Sequence, residues 1–177
     1  MRYAGRLFVI SFQRNATINI RKGERVHHPQ HGVGEIQSIE ERSFYGSAAA
    51  TYAELYFERE DLTLTLLKDD VADSVRKLIS STKARQLLKE LKDWKGKPSK
   101  LWKARANAHQ VAIESGDPFA YAKVFKELCQ LESVETLRAG DRAHQKQTEE
   151  LLVEELANSL GKSRHQAQEM LEKAITG

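Results

Sequence analysis

Residues 22–42 read KGERVHHPQHGVGEIQSIEER. Two short β-rich runs, Glu24–His28 and Gly34–Glu41, flank the turn-forming cluster Pro29–Gly32, so the stretch predicts two paired strands. Gly32 and Gly34 lack the third glycine and the following helix of a dinucleotide loop. They fit instead a turn needing positive φ and a tightly bent strand. Working outward, Thr51–Glu58 and Leu62–Leu67 continue the pattern, with breaks at Gly46–Ala50 and Glu58–Asp61. Leu62, Leu64 and Leu66 alternate with Thr63 and Thr65. Short strands at this spacing predict a small half-open β-barrel.

From Ser80 the period becomes helical. Ser81 is expected to cap a helix to about Leu91, with Ala84, Leu87, Leu88 and Leu91 on one face. Residues 95–99 interrupt it, and Ser99 is expected to cap the next helix, which runs to Ser115 with Trp102 in its first turn. Gly116-Asp117-Pro118 reads as a stop, a cap and a first helical position. Further helices are expected to about Glu132, from Gly140-Asp141 to Leu160, and after Ser163. The class is therefore α+β. It divides into an extension over 1–19, a β domain over 20–68, a linker over 69–80 and an all-α bundle over 81–177. The run Leu7–Phe12 is a possible strand in the extension. It is too short for a membrane span and has no small-residue cleavage site.

The chain has 177 residues, a single cysteine (Cys129) and a net charge of +3. A lone cysteine in an apolar helical pattern suits a reducing compartment and a core position. The small net charge hides an asymmetry. Residues 76–105 hold eleven Lys and Arg against Glu90 and Asp93, net +9, and the rest of the chain carries −6. A one-sign block of this kind is an electrostatic footprint for a polyanion.

Enzymatic chemistry finds little support. His27 and His28 point to opposite faces of a strand, and His31 follows a turn, so no three or four ligands converge and no metal or other cofactor is expected. Glu149-Glu150 and Glu154-Glu155 alternate with leucines and read as the solvated side of an amphipathic helix. No nucleophile–base set is recognisable. The segment KGKPSKLWKAR, residues 95–105, is different: four lysines and an arginine surround Trp102. An indole among cations suits contact with nucleobases while its neighbours hold phosphates. A core tryptophan beside a solvated lysine face is the alternative.

The 22–42 string resembles the opening of the CarD/CdnL family of RNA polymerase-binding transcription regulators, through Gly23, Val26, Pro29, His31-Gly32, Val33-Gly34 and Ile39-Glu40. Pro98, Trp102, Arg105, Ser115–Pro118 and the acidic helix EELLVEELANSLG follow in the family's order, over about residues 20–177. The C-terminal details are most similar to the branch found in Deinococcus and Thermus relatives. The resemblance implies a Tudor/SH3-like barrel docked on the polymerase β subunit, largely by adding its sheet edge to one there. Arg42 and Phe44 fall at contact positions, and Thr65 stands where the family commonly has arginine. It also implies that Trp102 acts as a minor-groove wedge at the upstream edge of the transcription bubble, stabilising the open complex. Arg105 and His109 fall at basic family positions, and Lys97, Lys100 and Lys103 are expected to supply phosphate contacts. DNA contact should be non-sequence-specific. A cytoplasmic monomer, carried to the nucleoid by the polymerase, is expected, with no membrane partner. The rival readings are a nucleic-acid binder without polymerase contact and a protein adaptor whose basic helix meets an acidic partner.

Overall fold

The computed structural model describes residues 19–43 and 48–176. Phe44 and the run Leu7–Phe12 lie outside the described residues. The strands are β1 (Arg25–His28), β2 (Gly32–Arg42), β3 (Ala50–Phe57), β4 (Leu62–Leu67) and β5 (Arg76–Lys77). A 3-10 turn, Glu58–Glu60, joins β3 to β4, and helix α1 (Lys68–Ser74) joins β4 to β5. The bundle comprises α2 (Ser81–Asp93), α3 (Trp102–Glu114), α4 (Pro118–Glu132), α5 (Ala139–Leu160) and α6 (Arg164–Thr176).

All strand pairs are antiparallel, in the order β4-β3-β2-β1-β5. β4 and β5 stay at opposite edges, so the expected barrel is an open sheet among the described residues. Two causes are visible. β5 is only two residues long and pairs with β1 alone. α1 intervenes between β4 and β5 and sends the fully buried Val71 into the sheet core. The segment 69–80, expected as a linker, thus supplies a helix and a strand. Its Asp70 and Asp73, short and polar, hid the helical period.

The sheet core is Val26, Ile36, Ala53, Leu55, Phe57, Val71 and Val75. Ile36 and Ile39 both pack toward it although three residues apart, because a bulge between Ile36 and Ser38 shifts the register. Gly34 lies flat against the Phe57 ring and leaves no room for a side chain. Gly32 adopts the positive φ expected of its turn, at 77°.

Helix starts follow local chemistry, with small shifts. Ser80, rather than Ser81, caps α2 and accepts from the Lys83 amide at 3.3 Å. Asp117 caps α4 with Pro118 at its first position. Ser163 and Gln166 form a reciprocal capping pair before α6. The bundle core gathers Leu87, Leu91, Ile113, Tyr121, Leu151, Leu152, Leu156 and Leu171.

Sheet and bundle meet along α5, where, of the glutamates expected to face solvent, Glu155 is buried and Glu149, Glu150 and Glu154 are partly covered. Glu155 is 1% exposed. It takes a bidentate pair from Arg76 at 2.6 and 2.7 Å, the Tyr121 hydroxyl at 2.7 Å and the Ile79 amide at 3.1 Å. Burial pushes its carboxyl up, but Arg76 outweighs this and holds it below the usual value. Arg76 Nε also donates to the Gly116 carbonyl at 2.6 Å. Glu154 accepts from the Val33 amide at 3.1 Å and lies 3.5 Å from Arg59. Arg25 reaches Asn158. His27 lies 3.8 Å from Glu155, yet burial, reinforced by Arg76, lowers its pKa to about 3. The imidazole is therefore neutral, and the contact is not an ion pair.

Candidate nucleic-acid interface

Trp102 is the first residue of α3. The chain reaches it through residues 94–101. Trp94 is the C-cap of α2 and, half-buried, lines a groove together with Leu87, Leu91 and Phe119. Gly96 passes so close over the Trp94 ring that no side chain fits there. Ser99 does not cap α3. Leu101 is the N-cap, without a side-chain bond, and Ser99 Oγ instead accepts from the Leu101 amide at 3.3 Å. The Trp102 indole is 46% exposed beside Leu101 at 74%. Large aromatic side chains are mostly covered in folded proteins, so this pair is conspicuous.

The indole sits among cations. Lys103 Nζ lies 5.5 Å from the ring centroid and Cζ of Arg138, the N-cap of α5, lies 5.2 Å away. Lys97, Lys100 and Lys103 are exposed, and none has a carboxylate partner among the described residues.

Two of the residues expected at this surface are elsewhere. Arg105 is 4% exposed and bound to Asp141, with Nη2 to Oδ2 at 2.6 Å and Nε to Oδ1 at 3.2 Å. Its Nη1 donates to the Ser99 carbonyl at 2.6 Å. The Arg105 hydrogen bonds hold the Asp141 carboxyl below its usual value. His109 is also buried, and its Nε2 lies 3.0 Å from Glu127. Arg105, His109 and Ile113 share one helical face, and that i, i+4, i+8 spacing was the overlooked signal. Arg138 and Asp141 were missed altogether. An acid in the first turn of α5 is accounted for by the helix N-terminus, which favours negative charge, and so did not point to Arg105.

A second surface lies on the sheet. Arg42 donates to Glu54 at 2.8 Å and to Glu40 at 2.9 Å, and Ser38 donates to Glu54 at 3.0 Å. Bonds from Arg42, then Ser38, hold the Glu54 carboxyl below its usual value. Thr65, exposed on β4, pairs across the ladder with Glu54. Arg42 and Thr65 thus belong to one patch around Glu54. β4 has a ladder partner on one side only among the described residues.

His27 and His28 do face opposite ways. His28 Nδ1 accepts from the Gln30 and His31 amides at 3.2 and 3.4 Å, and His31 Nδ1 lies 2.6 Å from Glu60. Among the described residues no group of three or more His, Cys, Asp or Glu side chains is placed to hold a metal ion. No described helix is long and apolar enough to cross a membrane.

Residues 86–172 match a family model described as CarD, C-terminal domain. That span runs from α2 into α6 and includes Trp102, Arg105, Arg138 and Asp141. No curated protein matches the chain.

Proposed function

Through residues 86–172 the chain belongs to the CarD family, and from that premise we propose that it regulates transcription by docking on RNA polymerase and stabilising the melted promoter. The observation that carries this reading is the half-exposed Trp102 indole, set at a helix start among lysines that have no acidic partner among the described residues. Such a group gains most from a site that is both flat and anionic, which describes an unstacked base step bordered by phosphates. An indole inserted at the edge of the bubble occupies the gap between parted base pairs and opposes their closing. A ligand that binds only the open state shifts the equilibrium by that differential affinity. Lys97, Lys100 and Lys103 would neutralise phosphates, which confers affinity without base preference. Arg105 and His109 are left out of the contact set because their side chains are occupied and buried.

Docking would use the β4 edge, which adds strand to strand on the polymerase β subunit. Arg42 would then exchange some of its contact with Glu54 or Glu40 for a group on the polymerase, and Thr65 would face the partner from the edge strand itself. In this reading the protein is a non-enzymatic monomer with a Tudor-like N-terminal domain over 20–68 and a DNA-facing helical domain over 81–177. It would act in the cytoplasm wherever polymerase meets promoters.

The deciding experiment is the lifetime of promoter open complexes formed by the cognate holoenzyme at fixed salt, with wild type and Trp102→Ala. Wild type should lengthen the lifetime. Trp102→Ala should bind polymerase equally well and fail to lengthen it. Equal lifetimes with and without wild type would leave the family fold without this activity and favour an adaptor.

A further inference from the structure

We infer that Asp141 and Arg138, both from the start of α5, are positioning residues that hold the Trp102 indole in place, Asp141 through Arg105 and Arg138 by direct contact. The inference rests on the wedge reading above. The Arg105 guanidinium uses all three of its nitrogens: two on Asp141, at 3.2 and 2.6 Å, and one on the Ser99 carbonyl at 2.6 Å. Arginine and aspartate are each 4% exposed. A shielded bidentate pair has a defined geometry that a surface pair lacks. It ties α5 to the loop that delivers Trp102, three residues beyond Ser99.

Among the described residues, the loop's other side-chain hydrogen bond is internal to it, from the Leu101 amide to Ser99 Oγ at 3.3 Å. Leu101, the N-cap of α3, forms no side-chain capping bond. Three residues before Asp141, Arg138 places its guanidinium 5.2 Å from the indole centroid. The chain at Arg138 is itself anchored. Leu137 is buried with Val124, Leu128 and Leu131, and Arg142 donates to the Leu137 carbonyl at 3.2 Å. One turn of α5 therefore holds the wedge at two points, one beneath the loop and one on the ring. An exposed indole left to itself would populate several rotamers and lose that freedom on meeting DNA. A held indole has already lost it.

Arg105 as a phosphate contact makes the opposite prediction. Neutralising Asp141 would then release a guanidinium and strengthen DNA contact.

The test uses the full chain labelled with fluorotryptophan. Its two tryptophans give two fluorine resonances, and Trp102→Phe assigns them. Spectra and open-complex lifetimes are compared for wild type, Asp141→Asn, Arg138→Ala and Arg138→Lys. Asp141→Asn should broaden or move the Trp102 resonance, leave that of Trp94 in place, and cut the lifetime gain by roughly two- to tenfold, the worth of one newly mobile side chain. Polymerase binding should not change. Arg138→Ala should move the Trp102 resonance and cut the gain by about twofold, in keeping with an exposed cation–π contact. Arg138→Lys should restore most of it. An unmoved Trp102 resonance, or a longer lifetime with Asp141→Asn, overturns the inference. Loss of the Trp94 resonance in Asp141→Asn would report unfolding, and the two Arg138 variants, on an exposed side chain, then decide. If Trp102→Ala itself leaves the lifetime unchanged, the wedge reading fails, and the fluorine spectra alone judge whether α5 holds the indole.

Discussion

Two arginine–carboxylate pairs, each with its carboxylate buried, organise this molecule, and they differ in what surrounds them. Glu155, at the seam between sheet and bundle, receives Arg76, Tyr121 and the Ile79 amide. Asp141, beneath the Trp102 loop, receives side-chain bonds from Arg105 alone among the described residues. The first carboxylate is saturated by three elements and has nothing left to offer a ligand. The second holds one loop, and the surface above it carries an exposed indole and lysines without acidic partners among the described residues. The comparison separates two uses of charge. At the seam, opposite charges cancel in the interior and fix one domain against the other. At the Trp102 face, like charges stay uncancelled, a state that an isolated fold gains nothing from and that a polyanion would satisfy.

The contrast breaks most readily at the seam. Glu155→Ala leaves the Arg76 guanidinium and the Tyr121 hydroxyl without their partner and should destabilise by about 3–5 kcal/mol, read as the loss in unfolding free energy in urea. The next largest effect is that of pH. His27 is neutral in the fold with a pKa of about 3, against 6.5 when unfolded. The unfolded state therefore takes up the proton first. The associated stability is complete above pH 6.5 and falls at about 1.4 kcal/mol per unit as pH drops toward 3. His28, lowered to about 4 chiefly by burial, adds to the same slope. Comparing His27→Gln with wild type at pH 7 and pH 5 should show a shallower decline, and parallel declines would contradict the neutral assignment. At the other face, changing Lys97, Lys100 and Lys103 to Gln should leave stability alone. Each should lower the salt slope of DNA affinity by about one, measured by titration in rising potassium chloride. The smallest effect expected is that of Trp102→Ala on unfolding free energy, within about 0.5 kcal/mol. A large loss would make Trp102 a packing residue and erase the contrast.

The elements were largely legible in the sequence because their signals are local. The leucine–threonine alternation of β4 and the Gly116-Asp117-Pro118 break each carry their own physical cause. What escaped was decided by packing at a distance. β5 is two residues long and exists because β1 lies beside it. Glu155 looked solvated because its helix alternates leucine with acid, and only the arrival of Arg76 from 79 residues away makes its burial tolerable. For the candidate site, Trp102 and the flanking lysines stood out by composition, but Arg105 was misjudged. A cation beside a wedge suggests phosphate, whereas its spacing with His109 and Ile113 places it inside the bundle. Asp141 and Arg138, 36 and 33 residues further along the chain, gave no local hint of a link to the loop.

The seam has a consequence in time. Its bonds join residues far apart in sequence, at separations of 121 for Val33 and Glu154 and 133 for Arg25 and Asn158. The sheet pairs mostly with near neighbours, and each helix pair can assemble without the seam. Closing so long a loop is rewarded only after both halves are in place, so the seam should form late, on the native side of the folding barrier. Seam substitutions are then expected to speed unfolding and leave the refolding rate nearly unchanged. The lifetime of the intact two-part molecule would be governed by Glu155 and Arg76, while the speed of its first assembly is governed by hairpins and helices that never touch them.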